Sequence, residues 1–63
     1  MKKSPAKIFK ETRKKLGLTQ KEVAEKAGIF SNTYSRIERG EQKPKFETIK
    51  DIAKVLKIDL SEF

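Results

Sequence analysis

Apolar residues recur along this chain three and four positions apart, in short stretches divided by glycine or proline, and this spacing predicts helices and no strands. The first helix is expected from Ala6 to Leu16, with Ile8, Phe9 and Leu16 turned inward. Ser4 and Pro5 open it, proline standing where its missing N–H does no harm, and Gly17 closes it. A second helix places Val23, Ala24 and Ala27 on one side and leaves Gln20, Lys21, Glu22, Glu25 and Lys26 largely toward water. Thr19 and Glu22 have the spacing of a capping box at its start, and Gly28 suits the left-handed turn past its end. A third helix begins near Phe30 or Ser31 and runs to about Arg39, with Tyr34 and Ile37 inward and Gly40 as its stop, so two residues separate it from the second. After a polar loop, EQKPK, the residues Phe46, Ile49, Ile52, Ala53 and Leu56 share one face of a fourth helix, and a last turn from Asp59 to Phe63 sets Leu60 and Phe63 against it. The predicted fold is all-α, a compact bundle of four to five helices forming one domain over residues 1–63.

The stretch from Thr19 to Gly40, TQKEVAEKAGIFSNTYSRIERG, is therefore two short helices broken by a glycine turn and ended by a glycine stop, the layout of a helix-turn-helix. It resembles the lambda-repressor and Cro-like (XRE-type) helix-turn-helix family. The usual pattern there is Gln, three residues, Ala, three residues, Gly, an apolar residue, a recognition helix and Glu-x-Gly. Gln20, Ala24, Gly28, Ile29, Ile37, Glu38 and Gly40 follow that pattern, and the resemblance extends through the first helix and through Pro44 to Phe63.

Composition narrows the function. At 63 residues the chain has a small core, near the size at which folding alone is marginal. Sixteen Lys and Arg against nine acids give a formal charge of +7, which suits a partner rich in phosphate, although a charge excess by itself is equally a solvated surface. Cysteine and histidine are both absent, which removes disulfides, thiolate zinc sites and the usual nucleophile and base constellations; no cofactor, no metal and no catalysis are expected. No apolar run approaches the roughly 18 residues that span a membrane, and no signal-peptide core is present, so a cytoplasmic, nucleoid-associated protein is expected. No separate ligand-sensing or cleavage domain is expected within these 63 residues. Regulation is accordingly expected from dimerisation, abundance or a partner protein.

The resemblance implies recognition of double-stranded DNA, with the first residues of the third helix in the major groove and the preceding helix across the phosphate backbone. Ser31, Asn32 and Arg36 stand at the base-reading places of the family, with Ser35 and Thr33 nearby. Asparagine can pair bidentately with adenine, arginine with guanine, and serine can donate or accept; Ser31 and Asn32 are also favoured helix caps. Gln20 stands where the family hydrogen-bonds phosphate, assisted by backbone N–H groups near Thr19, and Arg39, Lys43 and Lys45 flank the loop on the DNA side. Lys2 and Lys3 supply either a short basic arm or an unstructured terminus. Arg13 and Glu38 occupy places where similar proteins pair the first helix with the recognition helix. Ile58, Leu60 and Phe63 match the dimer region of similar repressors, which bind pseudo-palindromic sites as homodimers, but they also suffice to close the small core.

Phe30 departs from the pattern, since similar proteins cap the helix there with a small or hydroxyl residue. It has three readings: contact with a thymine methyl, a staple against Tyr34, or an exposed contact for a protein partner. Tyr34, where the family carries Ile or Val, is expected in the core with its hydroxyl at the surface. The reading that follows is a transcriptional repressor; the alternative is a protein-interaction module of the antitoxin or coactivator kind. A membrane-surface role for the fourth helix conflicts with the use of its apolar face in the core.

Overall fold

A computed structural model describes residues 4–63 of the chain; Lys2 and Lys3 lie outside them. The described residues form α1 (Pro5–Lys15), α2 (Gln20–Ala27), α3 (Ser31–Glu38) and α4 (Phe46–Leu56), followed by one short 3-10 turn (Leu60–Glu62). Helices α1 and α2 each pack against both α3 and α4. The enclosed core is a single cluster of Phe9, Val23, Ala24, Tyr34, Ile37, Ile52 and Leu56. Each of these larger side chains contributes on the order of 1.5–3 kcal/mol by leaving water, which is how so short a chain holds one fold. Among the described residues no helix is long and apolar enough to cross a membrane.

All four helices end in the same way. In each, the residue after the helix is left-handed or precedes a left-handed residue, and the next N–H reaches back five residues: Leu18 to the Arg13 carbonyl (3.1 Å), Ile29 to Ala24 (3.0 Å), Glu41 to Arg36 (2.9 Å) and Ile58 to Ala53 (2.9 Å). Such turns satisfy orphan carbonyls and swing the following side chain back over the helix. Leu18, Ile29 and Ile58 thereby land against the core. The left-handed residue is a glycine after α1, α2 and α3, at φ 70°, 75° and 76°, but after α4 it is Lys57 at φ 58°.

This turn geometry corrects the first helix. Leu16 does not turn inward; it is 49% exposed, because the chain reverses at Gly17 and presents Leu18 to the core in its place. Phe46 is likewise outside the apolar face assigned to it, at 65% exposure. It is the first residue of α4, where the helix has not yet reached the core, and its ring carries the Lys50 ammonium 5.6 Å from its centre. Ile49, Ile52, Ala53 and Leu56 do form the inner face. Phe63 returns to stack edge-on against Phe9, ring centres 5.5 Å apart, so the chain end closes the bundle beside α1.

Candidate nucleic-acid interface

The first helix of the motif, α2, is bounded by local bonds. Thr19 Oγ1 accepts the Glu22 N–H at 3.0 Å while Glu22 Oε1 accepts the Thr19 N–H at 2.9 Å, the full capping box. The backbone bond to Thr19, with its side-chain bond, holds the Glu22 carboxyl below the usual carboxylate range. Because the Thr19 N–H is used in this way, it is not a donor for phosphate. The free donors of this helix end are the N–H groups of Gln20 and Lys21, for which the residues one turn back lie outside the helix and offer no helical carbonyl. Gly28, left-handed at φ 75°, then sends the chain through Ile29 into α3.

Between the two helices lie three residues, Gly28, Ile29 and Phe30, and not two. Phe30 is extended and occupies the cap position of α3, so Ser31 and Asn32 lie inside the helix and neither caps it; no side chain does. The staple reading of Phe30 also fails, since its ring is 83% exposed while Ile29 packs inward beside it. The outer side of α3 presents Ser31, Asn32 and Arg36 to solvent, with Thr33 and Ser35 half-buried at its margins. The Arg36 side chain makes no hydrogen bond among the described residues and feels Glu41 only through its charge, which leaves its donors for a ligand.

Behind that surface, one cluster sets the attitude of α3. Glu38 is inward, its side chain 1% exposed, and its carboxylate accepts Arg13 Nε at 2.7 Å and Arg13 Nη2 at 3.1 Å. Gln20 Nε2 donates to the same carboxylate at 3.0 Å, and Arg13 Nη1 donates to the Leu18 carbonyl at 2.8 Å. Helices α1, α2 and α3 therefore meet at one carboxylate, and Arg13 ties the turn between the first two to the same cluster. Burial works to raise the Glu38 pKa, but the bonds from Arg13, the neighbouring Tyr34 hydroxyl and the bond from Gln20 together outweigh it and leave the group below its ordinary value. The bond from Glu38 raises Arg13 in turn. Tyr34 is buried with its hydroxyl, not at the surface as its sequence suggested; it lies in the core cluster, and the hydroxyl makes no hydrogen bond among the described residues. Burial, then the neighbouring Glu38 carboxylate, push its pKa up.

The flanking basic residues differ in how free they are. Arg39 is engaged by Glu41 through Nε at 2.8 Å and Nη2 at 3.3 Å, and its Nη1 donates to Ser35 Oγ at 3.0 Å. Lys43 and Lys45 are exposed in the loop before α4. Of the proposed dimer residues, Ile58 and Phe63 pack on the chain's own core, whereas Leu60 is exposed. Among the contacts that sequence reasoning missed, two differ in how legible they were. The Gln20 bond to Glu38 spans 18 residues and has no local signature, while the Arg39 and Glu41 pair is only two residues apart and was open to a charge-pattern reading.

Comparison with known proteins agrees with this geometry. A profile of the helix-turn-helix family matches residues 9–63. The chain is 38% identical over 54 residues to the cryptic phage CTXphi transcriptional repressor RstR of Vibrio cholerae, covering 86% of this chain and 49% of the repressor. It is 35% identical over 60 residues to the HTH-type transcriptional regulator PuuR of Escherichia coli, covering 95% of this chain and 32% of the regulator. An uncharacterized HTH-type transcriptional regulator of Methanothermobacter thermautotrophicus is 39% identical over 49 residues, 78% of this chain and 71% of that protein. The chain thus spans about half the length of the first of these relatives and about a third of the second. No solved structure matches it. With the capped α2, the Gly28 turn and the clamped α3 all inside the matched region, the chain belongs to the XRE-type helix-turn-helix family of DNA-binding transcription regulators.

Proposed function

We propose that this chain is a sequence-specific double-stranded DNA-binding regulator that acts as a repressor, with α3 lying in the major groove. The observation that carries the reading is the exposed row Ser31, Asn32 and Arg36 on a helix whose opposite side is clamped through Glu38 to α1 and α2. A rigid helix with unengaged amide and guanidinium groups is what direct readout of base edges requires. Asn32 and Arg36 read bases, and Ser31 and Ser35 assist, Ser35 while also accepting from Arg39. Gln20 keeps one amide hydrogen beyond its bond to Glu38, and with the N–H groups at the start of α2 it positions a phosphate; Lys43 and Lys45 and the displaceable Arg39 add to this.

A single α3 reads only a few base pairs, so the proposed active form is a homodimer on a pseudo-palindromic operator, its recognition helices roughly 34 Å apart. Leu60 supplies the exposed apolar contact of the seam, backed by Ile58 and Phe63. The setting is the cytoplasm, on the nucleoid, and the chemistry is binding without catalysis.

The test is selection from a random duplex pool at about 150 mM salt, since affinity and salt must be read together. A palindromic consensus is expected. Arg36→Ala should relax one base position per half-site at a cost of about 1–3 kcal/mol, while Lys43→Ala should weaken all sequences alike and reduce the salt slope by about one. Absence of any enriched sequence would refute the reading and favour a protein-interaction module.

A further inference from the structure

Phe30 is the most exposed large apolar side chain among the described residues, at 83%, and it stands at the one place where phenylalanine serves the fold least. It caps α3 without a side-chain bond, leaving the helix-start donors that a serine, threonine, asparagine or aspartate would satisfy. The core does not need the ring either, because Ile29 before it and Tyr34 one turn on already fill the inner side. Both local terms favour a small polar residue here, so the use of the ring lies outside the folded chain.

Its surroundings indicate what it meets. The next residues, Ser31 and Asn32, are exposed and polar, Arg36 follows on the same helix with an exposed guanidinium that makes no side-chain hydrogen bond among the described residues, and the chain carries +7. A protein interface is built on a contiguous apolar patch, whereas an exposed aromatic ring followed along its helix by exposed polar and cationic residues suits a polyanion that offers a single apolar group. In the major groove that group is the 5-methyl of thymine.

We propose that Phe30 is a specificity-determining residue that packs on the 5-methyl group of a thymine at the edge of the half-site read by α3. This rests on the DNA-binding reading above and adds a base identity to it. The ring selects thymine over cytosine by contact and not by hydrogen bonding, at a base step adjacent to those taken by Ser31 and Asn32.

The experiment takes the duplex enriched by the wild-type chain and replaces each thymine in turn by deoxyuridine, which removes the methyl and leaves every hydrogen-bonding group in place. At one thymine per half-site the wild type should lose about fourfold in affinity, the factor that one buried methyl of about 0.8 kcal/mol gives. Phe30→Ser should bind the thymine duplex more weakly and be indifferent to the same methyl. It should also melt at higher temperature than the wild type, because serine caps the helix, which separates lost recognition from lost folding. At that step cytosine should be rejected and 5-methylcytosine partly restored. Methyl removal without effect at every thymine, or equal methyl sensitivity in Phe30→Ser, would overturn the proposal while leaving the DNA-binding reading intact. Unchanged DNA affinity in Phe30→Ser would overturn it too and assign the ring to a protein partner. Failure to enrich any sequence would remove the DNA-binding reading and this proposal together.

Discussion

Replacing Glu38 by glutamine preserves the shape of the side chain and removes only its charge and one acceptor, so it isolates what the clamp on α3 contributes. The carboxylate takes three side-chain donors, two from Arg13 and one from Gln20. A glutamine offers one oxygen to these donors and turns its own N–H groups toward a guanidinium. Hydrogen bonds to charged groups contribute about 1.5–3 kcal/mol, and breaking a buried pair costs about 3–5 kcal/mol because a charge is left without its partner. Arg13 is not wholly stranded: its side chain is 12% exposed and keeps its bond to the Leu18 carbonyl. The expected loss is therefore about 2–4 kcal/mol, a large share of the roughly 3–9 kcal/mol total for a domain of this length. In a thermal melt followed by circular dichroism this is a fall of roughly 10–30 °C. Urea unfolding gives the free energy directly, and replacing Arg13 and Glu38 together by methionine should recover part of it, since no lone charge then remains buried. A loss below about 1 kcal/mol with an unchanged urea slope would refute the reasoning, because the pair would then be no stronger than one on the surface.

Three further outcomes follow from the same geometry. The carboxyls of Glu38, Glu22, Glu41 and Asp59 all titrate below their ordinary values in the folded chain, so their stabilisation is present above the unfolded-state values, 4.5 for glutamate, and is lost as pH falls through the lower folded-state values. The urea midpoint should drop between about pH 5 and 2, less steeply in Glu38→Gln; a midpoint that rises on acidification would contradict the assignment. Lys57→Gly should stabilise the fold by about 1 kcal/mol in urea unfolding, because the left-handed turn after α4 is strained for lysine and open to glycine. Glu41→Gln should release Arg39 for phosphate, raising affinity for every duplex alike and steepening the salt dependence by about one counterion; a change confined to one base position would show that Glu41 reads sequence instead.

The sequence determined the elements, because their signals are local. Apolar spacing of three and four, the Thr19 and Glu22 box and glycines past three helices specify where α1, α2 and α3 begin and end within a residue or so, and the order of those signals specifies a helix-turn-helix. It also determined which side chains of α3 face water, since Tyr34 and Ile37 claim the inner side and Ser31, Asn32 and Arg36 are left. What only the tertiary structure decided depends on distance between segments. Leu16 and Leu18 are equally apolar on paper, and the reversal at Gly17 chooses Leu18 for the core. Phe30 fits a staple by spacing, but Ile29 fills that space and leaves the ring in solvent. Gln20 stands at a phosphate position of the family the sequence resembles, yet its amide meets Glu38 across 18 residues of chain, and the hydroxyl of Tyr34, expected at the surface, is buried. Periodicity states which way a side chain leaves its own helix; only the packing of one helix on another settles what it meets there.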